Sequence, residues 1–329
     1  MLAYQRLRDP VNKQPLSFAG DALVSGEGHR YPILNGIPRF VEAEDYVANF
    51  GLEWTVHNRT QLDSVTGTNL TRERLERCLR EPLSNLAGKT VLEAGCGAGR
   101  FTELLVGAGA KVCSFDMSRA VDANKGNIGD RDNYLIAQAS VYAIPFEPAS
   151  FDYVIALGMI QHTPDPEATI EKLYEMVKPG GRLVIDHYRW NLKYFMRAVP
   201  WARLALKNVE GEKAKRICFR MTKTLFPLHW ALRNTPFAAK ALRMISPCAM
   251  PDSRGLPMLE KLGREKAFDW LVLDTFDALT DRYKHLRTPG QIQRTLARLG
   301  ASGIETSIGG NGVEALCTKP DSTRPAISR

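Results

Sequence analysis

The chain has 329 residues, 44% of them hydrophobic and 24% charged, and a formal net charge of +8. This composition is ordinary for a globular protein and excludes a wholly disordered chain, a collagen-like fibre and a small disulfide-stapled scaffold. The sequence has no run of about 18 apolar residues, which a membrane span needs, and no cationic stretch followed by an apolar one at its start. We therefore expect a cytoplasmic protein of about two domains.

The six cysteines are scattered and form no C-x-x-C pair. We expect buried thiols of a reducing compartment, and neither a disulfide framework nor a zinc site. The cysteines are Cys78, Cys96, Cys113, Cys218, Cys248 and Cys317.

The positive charge is concentrated in one segment. Residues 188–250 contain thirteen basic and two acidic residues, a net charge of +11, so the rest of the chain carries −3. The net charge of the whole chain is therefore no argument for a nucleic-acid partner by itself. It indicates instead that residues 188–250 form a basic surface whose partner has to be identified.

The first 45 residues predict a small β-rich module, because glycines at 20, 26, 28 and 36 mark turns between short apolar runs. Residues 46–88 are polar and compatible with helix. From residue 89 onwards, apolar runs alternate with helical patterns, which predicts βαβ units, a parallel sheet and an α/β fold. The predicted strands are 90–93, 111–116, 134–137, 151–157 and 181–187.

The helices between these strands carry clear end signals. Helical patterning covers 100–107 and 167–176, and the second helix has Asp165 as its N-cap and Pro166 at its first position. The run Lys-Pro-Gly-Gly at 178–181 predicts the end of that helix.

Residues 189–269 interrupt the alternation with a basic helical insertion. Its residues 213–226 repeat apolar side chains at helical spacing, and we expect Pro200, Pro227, Pro236 and Pro247 to divide it into short helices, as suits a lid over an active site. The α/β pattern resumes in 270–320. That part contains a helix opening at Thr288-Pro289, strands at 303–308 and 313–319 with a Gly-Gly-Asn-Gly hairpin signal between them, and then a disordered tail at 321–329.

The most informative run is 91–102, where a strand ends in glycines and a helix begins. A dinucleotide site, an S-adenosylmethionine site and a structural turn all fit such a loop, since glycine lets the backbone approach a ligand closely. The dinucleotide fingerprint needs a last glycine where Arg100 stands. Glu93 before the loop suits an ammonium better than a pyrophosphate, and Asp116 ends the next strand, where an acid accepts ribose hydroxyls. These observations favour S-adenosylmethionine.

Five motifs in order now resemble the class I S-adenosylmethionine-dependent methyltransferases of the methyltransferase type 11 kind, over residues 89–190 and 288–319. The resemblance implies a Rossmann-like, seven-stranded, mostly parallel sheet whose core is formed by 89–188 and 270–320, with S-adenosylmethionine as cofactor and no metal. It says little about the substrate. The motifs are VLEAGCGAGRF at 91–101, VCSFDMS at 112–118, IPF at 144–146 followed by SFDYV at 150–154, HTPDP at 162–166 and KPGGRLVI at 178–185.

The same resemblance implies cofactor contacts. Gly95, Cys96, Gly97 and Gly99 would cradle the methionine part, and Asp116 would hold the ribose hydroxyls. The other implied contacts are Glu93 through its position beside the loop, Met117 on the adenine ring, Ser140 and the Val141 backbone at the adenine edge, and Leu157 and Gly158 beside the methyl donor.

The first 45 residues resemble a small zinc-ribbon module found ahead of some bacterial methyltransferases. The similarity lies in Tyr-Pro-Ile at 31–33 and Gly-Ile-Pro at 36–38. The metal cysteines are missing, because Asp9 and Asn12 stand at the first pair, so we expect a metal-free module.

Methyl transfer to oxygen or nitrogen needs an aligned acceptor and, in many cases, a base, for which histidine is the usual choice. His162 follows the fourth strand at the edge where ligands bind in such sheets, either as a base or as a positioning residue. His187 and Tyr188 end the fifth strand and face either this crevice or the core.

The polar segment 270–285 is either a solvated linker or a further source of substrate contacts. Its candidates are Asp274, Asp277, Arg282, Tyr283 and His285, and weaker candidates upstream are Trp54 and Gln61.

The basic insertion has four interpretations at this stage: a lid with solvated charges, an amphipathic surface on an anionic membrane near a lipid-linked substrate, an RNA-contacting face, and a site for a small anionic substrate. We expect methylation of a small-molecule or glycosyl-type metabolite at a hydroxyl. The alternatives are an RNA (tRNA) methyltransferase and a non-catalytic, cofactor-binding or membrane-associated partner protein. The oligomeric state is left open.

Overall fold

A computed structural model describes residues 4–41, 59–250 and 256–321. It shows a seven-stranded sheet, which confirms the predicted α/β, Rossmann-like fold. The strands are β5 (Thr90–Ala94), β6 (Lys111–Asp116), β7 (Tyr134–Gln138), β8 (Phe151–Ala156), β9 (Val177–His187), β10 (Ser302–Ile308) and β11 (Val313–Thr318).

The sheet is mostly parallel, with the strand order β10-β11-β9-β8-β5-β6-β7. The five strands from β9 to β7 pair in parallel, whereas β11 pairs antiparallel with both β9 and β10. Both faces are covered by apolar side chains, as in other parallel sheets. Neighbouring residues on β5 show this: Val91 packs in the core layer on one face and Leu92 in the layer on the other.

Helices connect and flank the strands, and their ends follow the predicted signals. The Asp165 side chain accepts hydrogen bonds from the backbone of Glu167 and Ala168, and Thr288 forms a capping box with Gln291. These helices are α1 (Asp63–Thr66), α2 (Leu70–Leu79), α3 (Thr102–Gly107), α4 (Ala120–Ile128), α5 (Pro166–Met176) and α11 (Pro289–Arg298), with short 3-10 turns at Tyr4–Arg6, Leu83–Leu86 and Ile160–His162. The predicted stop at 178–181 ends α5, but these residues already belong to β9.

The N-terminal module is a four-stranded antiparallel sheet that is docked on the core. Leu7 is fully buried and forms an isolated bridge with Phe146, and Arg39 pairs in parallel with Gln138 at the end of β7. Asp9 is fully buried, and its Oδ2 lies 3.0 Å from His29 Nδ1. The strands are β1 (Ser17–Ala19), β2 (Ala22–Val24), β3 (Arg30–Leu34) and β4 (Ile37–Pro38).

The insertion is helical, as predicted, but one of its predicted breaks is wrong. Pro227 lies inside a helix of 22 residues. The buried side of this helix, which includes Phe226, packs against a later helix, and this packing offsets the hydrogen bond that proline cannot make. Pro200 lies in a first turn, where its missing N–H costs nothing. The helices are α6 (Leu192–Phe195), α7 (Ala198–Leu206), α8 (Gly211–Leu232), α9 (Pro236–Ile245) and α10 (Leu256–Thr280), the last with a kink at Gly263.

Helix α10 runs through residue 270, the predicted start of the C-terminal part of the core, and the first core helix after the insertion is α11. The residues from 270 to 280 are therefore helical and not a linker. None of the helices in the described ranges is long and apolar enough to cross a membrane. All six cysteines are free and buried.

Candidate active site

A cavity of about 780 Å³ lies at the carboxyl edge of the sheet, beside the residues that follow β5, β6, β8 and β9. Its volume is within the usual range for small-molecule sites. The core contributes the inner wall, and the insertion and α10 contribute the outer wall. The residues discussed below that line it are Gln61, Arg74, Gly95, Cys96, Gly97, Arg100, Asp116, Met117, Val141, Leu157, Gly158, Gln161, His162, Tyr188, Lys193, Arg197, Lys240, Arg243, Asp274 and Asp277.

The glycine loop turns sharply after β5. Gly95 has a φ of +69°, and a Cβ added there would lie 2.6 Å from Met159 Cβ. Gly97 and Gly99 also have positive φ angles, and the backbone N–H of Gly97 donates to Asp116 Oδ2 at 2.9 Å. The loop thus presents bare backbone to the cavity and is fixed to the end of the neighbouring strand. Gly95, Cys96 and Gly97 line the cavity, whereas Gly99 does not.

Asp116 is the last residue of β6, and both oxygens of its carboxylate accept hydrogen bonds from neighbouring loops. Its Oδ1 accepts hydrogen bonds from the backbone N–H and the hydroxyl of Ser118, at 2.9 and 2.7 Å. Together with Met117, it faces the cavity one strand away from the glycine loop, which is where the sequence predicts the ribose and adenine contacts.

Glu93 lies beneath the loop and not in the cavity. Its Oε2 accepts hydrogen bonds from the hydroxyls of Thr102 and Ser114, both at 2.7 Å, and burial raises the pKa of this carboxyl to about 7. Its Oε1 is buried without a hydrogen-bond partner among the described residues. Glu93 therefore ties β5 to the start of α3 and acts on the site through the loop.

The remaining predicted cofactor residues divide by position. Val141 lines the cavity, whereas the Ser140 hydroxyl accepts from the Tyr142 backbone in a turn and does not. Leu157 and Gly158 line the cavity, and Gly158 N–H donates to Asp186 Oδ1 at 2.6 Å.

His162 is the centre of a charged cluster in which Asp281 is buried and His162 and Asp277 are partly buried. Its Nδ1 lies 2.9 Å from Asp281 Oδ2, and its Nε2 lies 4.0 Å from Asp277 Oδ1. Burial by itself would lower the pKa of His162, but the two carboxylates outweigh it and raise the pKa. Lys284 and Arg203 also lie beside Asp281, with Nζ at 3.2 Å and Nε at 3.5 Å, and the pKa of Asp281 is lowered in spite of its burial.

His162, Asp277 and Asp281 bring potential metal ligands within 4.8 Å of one another. The cations of Lys284 and Arg203 already compensate Asp281, so the cluster suits a hydrogen-bonded histidine better than a divalent ion.

Tyr188 and Asp274 complete the polar wall next to His162. The Tyr188 hydroxyl donates to Asp277 Oδ2 at 3.1 Å, its ring contacts the His162 ring edge to face, and burial raises its pKa far above the usual value. Burial, together with the charge of Asp277, raises the pKa of the Asp274 carboxyl to about 7. Asp274 is thus the carboxyl group of this wall whose pKa is raised towards neutrality.

Two predicted catalytic residues lie outside the cavity lining. His187 is buried, its Nδ1 is 3.0 Å from the Tyr188 carbonyl, and burial lowers its pKa to about 4. Tyr283 stacks with His285 and is not among the residues that line the cavity. Trp54 lies outside the described residues.

Several lining residues were not predicted. The amide of Gln161 is fully buried, and neither its oxygen nor its nitrogen has a hydrogen-bond partner in the described part of the chain. Arg100 donates to Gln61 Oε1 at 2.8 Å and lies over the rings of Phe101 and Trp270. The insertion adds Lys193, Arg197, Lys240 and Arg243.

Part of the chain is similar to known methyltransferases. Residues 92–185 match the model of the family described as "Methyltransferase domain". The ubiquinone biosynthesis O-methyltransferase of Cupriavidus pinatubonensis is 34% identical over 129 residues, which are 38% of this chain and 51% of that protein. The enzyme of the same name from Pseudomonas fluorescens is 36% identical over 126 residues, 37% of this chain and 54% of that protein. The chain thus spans about half the length of the curated relatives that it matches.

Solved structures with some likeness include two methyltransferases. The N-methyltransferase NodS from Bradyrhizobium japonicum, solved with S-adenosyl-L-homocysteine, is 28% identical with a TM-score of 0.33, covering 36% of this chain and 62% of its own. Human N-acetylserotonin methyltransferase, solved with S-adenosylmethionine, is 13% identical with a TM-score of 0.43, covering 86% of this chain and 61% of its own. The assignment rests on the family match and on the strand order, and it confirms the resemblance: residues 92–185, within their seven-stranded sheet, form a class I S-adenosylmethionine-dependent methyltransferase domain.

Proposed function

We propose that this chain is an S-adenosylmethionine-dependent O-methyltransferase that acts on a hydroxyl of a small-molecule or glycosyl-type acceptor. The observation that carries the proposal is His162, which shares one cavity with the glycine loop and Asp116 and is held by Asp281. The two partial relatives described above are both named O-methyltransferases, which supports the choice of oxygen.

The residues present fit the cofactor. The bare loop at Gly95 and Gly97 leaves room for the methionine part, and no side chain larger than glycine fits at position 95 without displacing Met159. The Asp116 carboxylate, fixed by the backbone N–H groups of Gly97 and Ser118, lines the same cavity and would accept hydrogen bonds from the ribose hydroxyls. When bound, S-adenosylmethionine supplies the transferable methyl group.

The chain's own groups then align the acceptor and remove its proton. His162 accepts the hydroxyl proton at Nε2, while Asp281 fixes the ring through Nδ1 and stabilises the imidazolium that results. The unpartnered Gln161 amide and the Tyr188–Asp277 pair are placed to orient polar groups of the acceptor. A buried polar side chain that lacks a partner is costly, so a ligand that satisfies Gln161 gains affinity.

The test is transfer of a labelled methyl group from the cofactor into fractionated cell extract, using His162→Asn with His29→Asn as the matched control. His29 lies in the N-terminal module, outside the cavity lining. We expect His162→Asn to lower turnover by about 10²–10⁴-fold, the usual contribution of a general base, with cofactor affinity by calorimetry unchanged. His29→Asn should retain turnover.

Three results would contradict the proposal. Equal turnover in His162→Asn and the native protein would remove His162 from catalysis. Label in the RNA fraction would indicate an RNA methyltransferase. Cofactor binding without label in any fraction would indicate a non-catalytic protein.

A further inference from the structure

The insertion carries most of the large apolar side chains that the described part of the chain exposes. Ten of the fifteen lie between residues 190 and 245, and six of those ten fall within 190–204. Soluble proteins rarely cluster exposed apolar side chains in this way, and such clusters mark contact surfaces. The ten are Trp190, Leu192, Phe195, Met196, Trp201, Leu204, Phe219, Leu228, Phe237 and Ile245.

Many of these side chains belong to neighbouring helices. Trp201 on α7 donates its Nε1–H to the Phe195 carbonyl of α6 at 3.1 Å, and α9 contacts α7. On α9, Phe237 and Ile245 are 84% and 74% exposed and lie two turns apart on one helix face. We call residues 190–204 and 236–245 the entrance face.

The cavity opens within the entrance face. Lys193 on α6 and Lys240 on α9 are both exposed to solvent and also line the cavity, so the cavity reaches the surface at these residues. Arg197 and Arg243 line it close by. A molecule covering the entrance face would therefore meet both apolar side chains and cations around the opening.

The charge of the segment selects the kind of partner. Residues 188–250 carry a net charge of +11, so a second copy docking through the same face would bring like charges together. RNA would be held by cations and by stacking on aromatic rings, and it offers no partner to exposed Leu192, Met196, Leu204 and Ile245. An anionic lipid surface satisfies both features, since apolar side chains insert at the boundary between headgroups and acyl chains while Lys and Arg meet the headgroups.

We propose that the entrance face docks on an anionic lipid bilayer, with the cavity opening towards the headgroups. The contact is peripheral, made by the outer sides of amphipathic helices. It stands independently of the acceptor that the site methylates.

The test is co-sedimentation of the full chain with vesicles of equimolar phosphatidylcholine and phosphatidylglycerol, and with vesicles of phosphatidylcholine alone. We expect binding to the anionic vesicles only, weakened by salt. Phe237→Ser combined with Ile245→Ser should reduce the partition coefficient roughly tenfold or more, because two inserting side chains are lost. The high exposure of both residues makes the fold insensitive to the change.

The matched control replaces two other highly exposed apolar residues on the N-terminal module, Val11→Ser with Phe18→Ser, which are 73% and 64% exposed. It should bind like the native chain. The proposal is overturned by failure to bind anionic vesicles, by equal binding to both vesicle types, or by equal loss in the two double variants. A change of oligomeric state in place of vesicle binding, seen by light scattering, would also overturn it.

Discussion

The protonation state of His162 decides when this side chain can accept a proton. Asp277 and Asp281 stabilise its cation and raise its pKa against the effect of burial. A base must be neutral, so turnover should rise with pH as His162 loses its proton above this raised pKa. The neighbouring carboxylates therefore place the active form at higher pH than an isolated histidine would.

This leads to a prediction for Asp281→Asn. The substitution removes a negative charge 2.9 Å from Nδ1, so the pKa of His162 falls and the rising limb of kcat/KM against pH moves to lower pH. The maximum rate should also fall, since the ring is held less firmly. Asp21→Asn, an exposed carboxylate in the N-terminal module, is the control and should leave the profile in place. A limb that stays in place in Asp281→Asn would show that His162 is not the titrating group.

Some site residues could be predicted from local patterns and others could not. The positions of the glycine loop and of Asp116 could be predicted because each lies at the end of a strand, β5 and β6, that the local sequence pattern marks clearly. Asp281 is not among the predicted residues although Asp274, Asp277 and Asp281 stand at i, i+3 and i+7, because the polar run 270–285 fits a solvated linker as well as a set of substrate contacts. The helix that brings these three residues together becomes evident only in the structure. The unpartnered amide of Gln161 arises from tertiary burial, which has no sequence pattern.

At the level of elements, strands and capped helices agree with the sequence because their signals are local. β6 has the predicted bounds, and α5 and α11 begin at the predicted prolines. The helix boundaries within the insertion could not be predicted in the same way. Helices α8 and α10 pack against each other, and α8 continues through Pro227 while α10 continues past residue 270. Tertiary contacts decided those boundaries.

The loop after β5 allows a sharp test of its glycine. Gly95→Ala should destabilise the fold by roughly 1–3 kcal/mol, because the methyl group meets Met159 and the backbone is left-handed. Gly126→Ala is the matched control: this glycine lies in α4 with open space around it, and the change should stabilise by about 0.5–1 kcal/mol. Urea denaturation measures both. A Gly95→Ala variant as stable as the native chain would mean that the loop has room for a side chain.

Across the whole molecule, the N-terminal module shares a core with the methyltransferase domain. Leu7 and Leu23 pack in the same apolar layer as Phe115 and Phe146. The module and domain should therefore unfold in one calorimetric transition. Leu7→Ala should destabilise that transition by about 2–5 kcal/mol, the usual cost of truncating a buried leucine. Val11→Ala, at an exposed position of the same module, should change it little, and a separate early transition in Leu7→Ala would show that the module folds independently.

The module's docking position has a consequence for solubility. A sheet's outer strands offer unpaired backbone groups to other chains, and β7 is one of the two outer strands here. Arg39 pairs with Gln138 on that strand, and the Phe40 N–H donates to the Gln138 carbonyl at 2.8 Å, so the end of this edge is occupied from within the chain. The opposite edge, β10, carries Glu305 in an ion pair with Arg80. One edge of the sheet is thus partly covered by the N-terminal module, and the other carries charged side chains. A chain shortened to begin after residue 41 would expose the β7 edge, and copies of it could then associate by strand pairing.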